Sequence, residues 1–347
     1  MRTIAVINQK GGVGKTTTVA NLGAAIAIRH RKVCLLDLDP QAHLTLHLGI
    51  EPGTTDVSTY DVLISDAHLR AAAMRVAERL WLIPSEIDLA AAEIELVSTV
   101  GREQLLRDRL VASRFDHDFL FVDCPPSLGL LTLNALAAAD DVIIPLQPHF
   151  LALHGLGKLL ETVSLVRRRI NPQLRVSGVI LCMYETTTRL ASEVVADLKG
   201  FFSAARGGDT PWSRTRIFET VIRRNIKLAE CPSHGLTIFD YEPGSNGAAD
   251  YGALADEFLT CFDAPEREAG PALAARPFAQ GAGGLAPFSQ QSAAEADEVP
   301  THTEDATVPQ AASAQSVETD PSAPRPLAVT GPEETSDPPP AGPPREP

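Results

Sequence analysis

Thr3-Ile4-Ala5-Val6-Ile7 leads into Asn8-Gln9-Lys10-Gly11-Gly12-Val13-Gly14-Lys15-Thr16-Thr17, and a helical pattern runs on to Arg29. The first run is apolar and β-branched, as a buried strand is. The turn behind it is rich in glycine, and the residues after it favour a helix. In that order, the N–H groups of the turn and of the helix start face one point, where the helix dipole adds positive potential. Such a cradle holds phosphate. Against the pattern Gly-x-x-x-x-Gly-Lys-Ser/Thr, Gln9 replaces the first glycine, the Gly14-Lys15-Thr16 end is intact, and a second lysine, Lys10, precedes the glycines. Gly11, Gly12 and Gly14 let the backbone approach a phosphate closely. Lys15 is expected to reach the β- and γ-phosphates, and the Thr16 hydroxyl to bind Mg²⁺.

Two further stretches end in carboxylates. Val33-Cys34-Leu35-Leu36-Asp37-Leu38-Asp39-Pro40-Gln41 and Phe119-Leu120-Phe121-Val122-Asp123-Cys124-Pro125-Pro126 are apolar strands with aspartates at their C-terminal ends. Open parallel sheets bind ligands at those ends, so the carboxylates are expected to meet the phosphates. Asp123 is expected to hold Mg²⁺ through water, and Asp39 to orient or polarise an attacking water while lying at the same metal. Asp37 is either part of this group or a cap for the turn that follows.

Strands are predicted at Thr3–Ile7, Val33–Leu36, Leu80–Ile83, Phe119–Val122, Val142–Leu146 and Val176–Leu181. Helical patterns lie at Thr16–Arg29, Arg102–Ala112, Leu130–Ala138, Leu153–Arg169, Leu190–Phe202 and Ala248–Phe262. This alternation predicts an α/β fold, a mostly parallel, doubly wound sheet flanked by helices over residues 1–262. Residues 263–347 read differently. From residue 264 onward they hold 16 of the chain's 27 prolines and carry −9 of its net charge of −14. Too little apolar surface is present there to offset chain entropy, which predicts a disordered Pro/Ala-rich acidic tail. The five cysteines lack CxxC spacing, arguing for a reducing cytosol and against a zinc site. His43, His47, His149 and His154 lack metal-ligand spacing as well. No apolar run approaches the ~20 residues needed to span a bilayer.

Lys10–Thr17, Asp37-Leu-Asp39-Pro-Gln41, Asp123-Cys-Pro-Pro-Ser-Leu-Gly129, the run Pro84–Val97 and Ala229–Gly235 closely resemble the ParA ATPases of chromosome and plasmid partition. Those are P-loop proteins of the deviant Walker A group. The likeness runs from residue 1 to about 262, and it is nearest to the short chromosomal form called Soj. It implies cofactors ATP and Mg²⁺, nucleotide contacts from Gly11 through Val13 to Thr17, and a dimer formed across ATP in which Lys10 reaches the partner's nucleotide. It further implies two switch loops, 39–45 and 123–129, slow hydrolysis stimulated by a ParB-like protein, and a cytoplasmic, nucleoid-associated location.

The resemblance also implies non-specific DNA binding through basic residues, here Arg189, Arg223, Arg224 and Lys227, with Lys199, Arg214 and Arg216 as further candidates. Thr187, Gly244 and Asn246 depart from the arginines that relatives carry nearby. Rival readings are a membrane-cycling, MinD-like ATPase that places division sites, an orphan ATPase that positions a protein cargo, an iron–sulfur ATPase, and a scaffold without turnover. The first needs an amphipathic C-terminal helix, and the proline-rich run Asp337–Pro347 cannot form one. An iron–sulfur ATPase needs spaced cysteines. A retained Asp39 argues against the scaffold.

Overall fold

The computed structural model describes residues 1–262 apart from 114, 150, 151 and 186–188. The tail predicted for 263–347 lies outside the described residues, as does Thr187. Along the chain run β1 (Arg2–Val6), α1 (Lys15–Ile28), β2 (Val33–Asp37), α2 (His43–His47), α3 (Thr59–Ile64), α4 (Leu69–Ala72), β3 (Met74–Ala77), β4 (Leu80–Ile83), α5 (Leu89–Glu95) and α6 (Leu105–Ser113). Then follow β5 (Phe119–Asp123), α7 (Leu130–Ala138), β6 (Asp141–Leu146), α8 (Ala152–Arg169), β7 (Arg175–Tyr184) and α9 (Arg189–Ala204). The series closes with β8 (Arg216–Ile217), β9 (Ile222–Arg223), α10 (Ile226–Glu230), α11 (Ile238–Tyr241) and α12 (Asn246–Phe262).

The strand order is β3-β4-β2-β5-β1-β6-β7-β8, with β9 also pairing β7. Every pairing is parallel except β3 with β4. The predicted parallel, doubly wound sheet is therefore what forms, and β3 adds an antiparallel edge.

The central strands are apolar at consecutive positions because each side chain enters a different core. In β1, Ile4 and Val6 pack on one face and Ala5 on the other; in β2, Val33 and Leu35 oppose Cys34 and Leu36. One face is covered by α1 and α12, where Phe258 packs 5.4 Å from Phe119 and 5.6 Å from Phe121, ring centre to ring centre. The other is covered by apolar residues of α5 to α9. At the start of β6, fully buried Asp141 accepts hydrogen bonds from Arg2 Nε (2.5 Å), Arg175 Nε (2.8 Å) and the Ser177 hydroxyl. One carboxylate thus joins the beginnings of three chain segments at the sheet edge remote from the glycine turn.

Candidate functional site

The glycine turn leaves β1 at the centre of the sheet. Gly12 and Gly14 take φ of +70° and +92°, a left-handed backbone that side chains resist. Gly14 precedes α1 without any side-chain cap, so the first N–H groups of the helix stay available to an anion. A Cβ at Gly11 or Gly12 would meet open space, which is the concavity itself. That concavity is a cavity of about 1000 Å³ lined by Gly11, Gly12, Gly14, Lys15, Thr16, Thr17 and Asp39 on one side. Val13 is buried behind it. Lys15, the first residue of α1, is 7% exposed.

The strand register brings the carboxylates together. Asp37 and Asp123 are direct partners across β2 and β5, and Asp123 also pairs with Val6 of β1. Thr16 Oγ1 donates to Asp123 Oδ2 at 2.7 Å, while Asp123 Oδ1 is buried with no hydrogen-bond partner. Burial, and then the charge of Asp37, push the Asp123 carboxyl well above the usual carboxylate range. Burial pushes Asp37 up to about 7, against hydrogen bonds from Thr45 and the Asp39 amide that pull it down. Two desolvated carboxyl groups with one orphaned oxygen call for a cation.

Among the described residues, no three His, Cys, Asp or Glu side chains converge as an all-protein cage. The Thr16 hydroxyl and the unpartnered Asp123 Oδ1 fit Mg²⁺, which commonly takes one or two protein oxygens and fills its octahedron with water and phosphate. Asp37 is the turn anchor: it accepts from Thr45 N (2.9 Å), Thr45 Oγ1 (2.7 Å) and Asp39 N (3.2 Å). Asp39 lines the cavity and accepts from Gln41 N at 3.0 Å.

The opposite wall of the cavity was missed in the sequence. It is formed by Cys182, Met183, Ile222, Asn225, Ile226 and Pro232, an apolar surface with one amide. Arg223 and Arg224 line it too, and three of the predicted DNA-binding cations, Arg223, Arg224 and Lys227, are held in ion pairs. Arg223 Nη2 lies 2.6 Å from Asp250 Oδ1, Arg224 Nε 2.8 Å from Glu185 Oε1, and Lys227 Nζ 2.8 Å from Glu230 Oε2. Arg189 begins α9, and its side chain lies outside the described part. Lys199, Arg214 and Arg216 are exposed. Lys10 is exposed and is not among the residues lining its own cavity; its Nζ stands 2.6 Å from His149 Nε2.

A family model described as an AAA domain (AAA_31) matches residues 1–176. The sporulation initiation inhibitor protein Soj of Bacillus subtilis (strain 168) is 46% identical over 255 residues, which cover 73% of this chain and 96% of that protein. The chain belongs to the Soj/ParA family of partition ATPases. The chromosome-partitioning ATPase Soj of Treponema pallidum (strain Nichols) is 43% identical over 259 residues, 74% of this chain and 97% of its own. A crystal structure of cobyrinic acid a,c-diamide synthase from Mycobacterium smegmatis with bound ADP and magnesium is 38% identical, with a TM-score of 0.64 over 76% of this chain and 96% of that one. This Soj/ParA protein is thus an ATPase with ATP and Mg²⁺ as cofactors. Among its described residues, no helix is long and apolar enough to cross a membrane.

Proposed function

We propose that this partition ATPase is a dimerising switch: with Mg²⁺ and ATP bound it pairs with a second copy, and the pair holds duplex DNA without regard to sequence. The contrast between two lysines carries this reading. Lys15 is buried and lines its own phosphate cavity, whereas Lys10 stands exposed outside that lining. A cation set outside its own pocket suits a phosphate presented from outside, such as the nucleotide of a second copy.

In this reading Lys15 and the N–H groups from Gly11 to Thr17 bind the phosphates. Thr16 and Asp123, with Asp39 nearby, would hold the metal, which would supply positive charge to offset that of the phosphates. Asp39 orients the attacking water and accepts a hydrogen bond from it. The loops 39–45 and 123–129 close on the γ-phosphate and relax after hydrolysis, and a ParB-like protein speeds that step. Arg189, Arg223, Arg224 and Lys227 supply cations for DNA phosphates, and the working location is the nucleoid. Exposed ion pairs contribute only about 0–1 kcal/mol, so phosphates can compete for Arg224 and Lys227.

The same pairing favours a second reading, an ATPase that positions a protein cargo with its basic side chains already satisfied. Fluorescence anisotropy with arbitrary duplex DNA separates the two. Binding should require Mg²⁺ and ATP and weaken steeply with salt. Arg224→Ala with Lys227→Ala should lower the slope of log affinity against log salt by about two per subunit. Light scattering of Asp39→Ala with ATP should show more dimer than the parent. Absence of DNA retention at low salt would favour the cargo reading.

A further inference from the structure

The run Pro84–Val97 resembles its counterpart in partition ATPases, yet it lines no part of the phosphate cavity. Its place in the fold is between the two switch loops. At one end, Ser85 is 1% exposed; its hydroxyl donates to the carbonyl oxygen of Asp39 at 2.8 Å, and its N–H donates to Thr45 Oγ1 at 2.9 Å. Thr45 Oγ1 in turn donates to Asp37 Oδ2. The backbone of Asp39 is thereby held on both sides, its N–H by Asp37 and its carbonyl by Ser85.

At the other end, on α5, the Glu93 carboxylate fills the space that a Cβ on Gly129 would need, and Glu93 Oε1 accepts from Leu131 N at 3.4 Å. Gly129 ends the loop 123–129 and is the N-cap of α7, so Glu93 places negative charge on the positive end of that helix.

We propose that residues 84–95 form a strut that couples the two loops, with Ser85 the positioning residue for Asp39 and Glu93 the positioning residue for the 123–129 loop. The strut sets the separation between the two sides of the γ-phosphate position, and neither residue touches nucleotide. The inference rests on the role proposed for Asp39. Small misplacement of a catalytic group is costly, because attack geometry tolerates little error.

The test is phosphate release by the full-length chain at saturating ATP and Mg²⁺, beside calorimetric affinity for a non-hydrolysable ATP analogue. Ser85→Ala and Glu93→Ala should each lower kcat about tenfold while affinity changes less than about twofold. Ser85→Thr, which keeps the hydroxyl, should restore most of the loss. The double variant should fall less than the product of the single effects, because one strut is broken either way.

Thr215→Val is the control for mere destabilisation. The buried Thr215 hydroxyl donates to the carbonyl of Val176 on β7 and touches neither residues 84–95 nor the loops 39–45 and 123–129. It should lower the melting temperature and spare kcat. Unchanged kcat in both single variants, an equal loss of kcat in Thr215→Val, or single effects that multiply in the double variant would each overturn the strut. Asp39→Ala run alongside keeps the two ideas apart: full turnover there removes the role of Asp39 itself.

Discussion

Replacing His47 by Gln should remove an acid-sensitive contribution to stability that can be sized from the structure. The imidazole is 1% exposed, with Nε2 3.7 Å from Cys231 Sγ, and burial holds its pKa down to about 4 against an ordinary 6.5. Below pH 6.5 the unfolded chain takes up a proton that the folded protein refuses until about pH 4. Stability therefore falls as pH drops through that window, with each unit of difference costing about 1.36 kcal/mol, or about 3 kcal/mol in all. Asp37 and Asp123 act in the opposite sense. Their raised values mean that the metal-free folded protein holds protons the unfolded chain has lost, so acid stabilises it through them.

The total profile of either protein mixes the two trends, but their difference isolates His47, since glutamine does not titrate. Urea unfolding of parent and variant, metal-free, at half-unit steps from pH 7.5 to 4, gives that difference directly. The variant should gain about 3 kcal/mol on the parent across the range, whatever constant offset its packing introduces. A flat difference curve would refute a neutral, desolvated imidazole at this position.

Lys15→Ala removes the buried cation of the phosphate cradle and should abolish ATP binding in calorimetry, while circular dichroism of the domain stays unchanged. Asp141→Ala removes the buried acceptor shared by Arg2, Arg175 and Ser177; it should cost about 3 kcal/mol and lower the melting temperature by roughly 6–12 °C in a scanning calorimeter. Because burial raises Asp123 and holds Asp37 near 7, Mg²⁺ should bind with release of protons, and its thermal protection in the presence of ADP should be larger at pH 8 than at pH 6. Equal protection at both values would contradict the desolvated pair.

The central strands and the phosphate turn were legible because each carries its own local signal. A strand covered on both faces is apolar throughout, and a turn that must approach phosphate needs glycine where φ is positive, as at Gly12 and Gly14. The antiparallel edge β3 alternates between exposed and half-buried residues, and β8 and β9 are two residues long, too short for periodicity to register. The apolar wall around Asn225 and Pro232 went unseen for a related reason: it is assembled from distant loops and short elements. The pairing of Arg223 with Asp250 spans 27 residues, and charge counting along a sequence cannot tell a held guanidinium from a free one. Asp37 was readable as a ligand or a turn anchor, and only the Thr45 contacts decide for the anchor.

β1 lies between β5 and β6, so the phosphate turn hangs from a strand that cannot detach without breaking two parallel ladders. Strands at the margin, such as β3 and β8, need to break only one. Amide exchange at Ile4 to Val6 should therefore proceed only through opening of the whole domain, whereas the margins open singly. A ligand gripped by that turn then draws its binding energy against unfolding of everything at once. Occupancy becomes a matter of lifetime: copies emptied of nucleotide are the ones most exposed to proteases, and the abundance of the protein should follow the supply of adenine nucleotide in the cell.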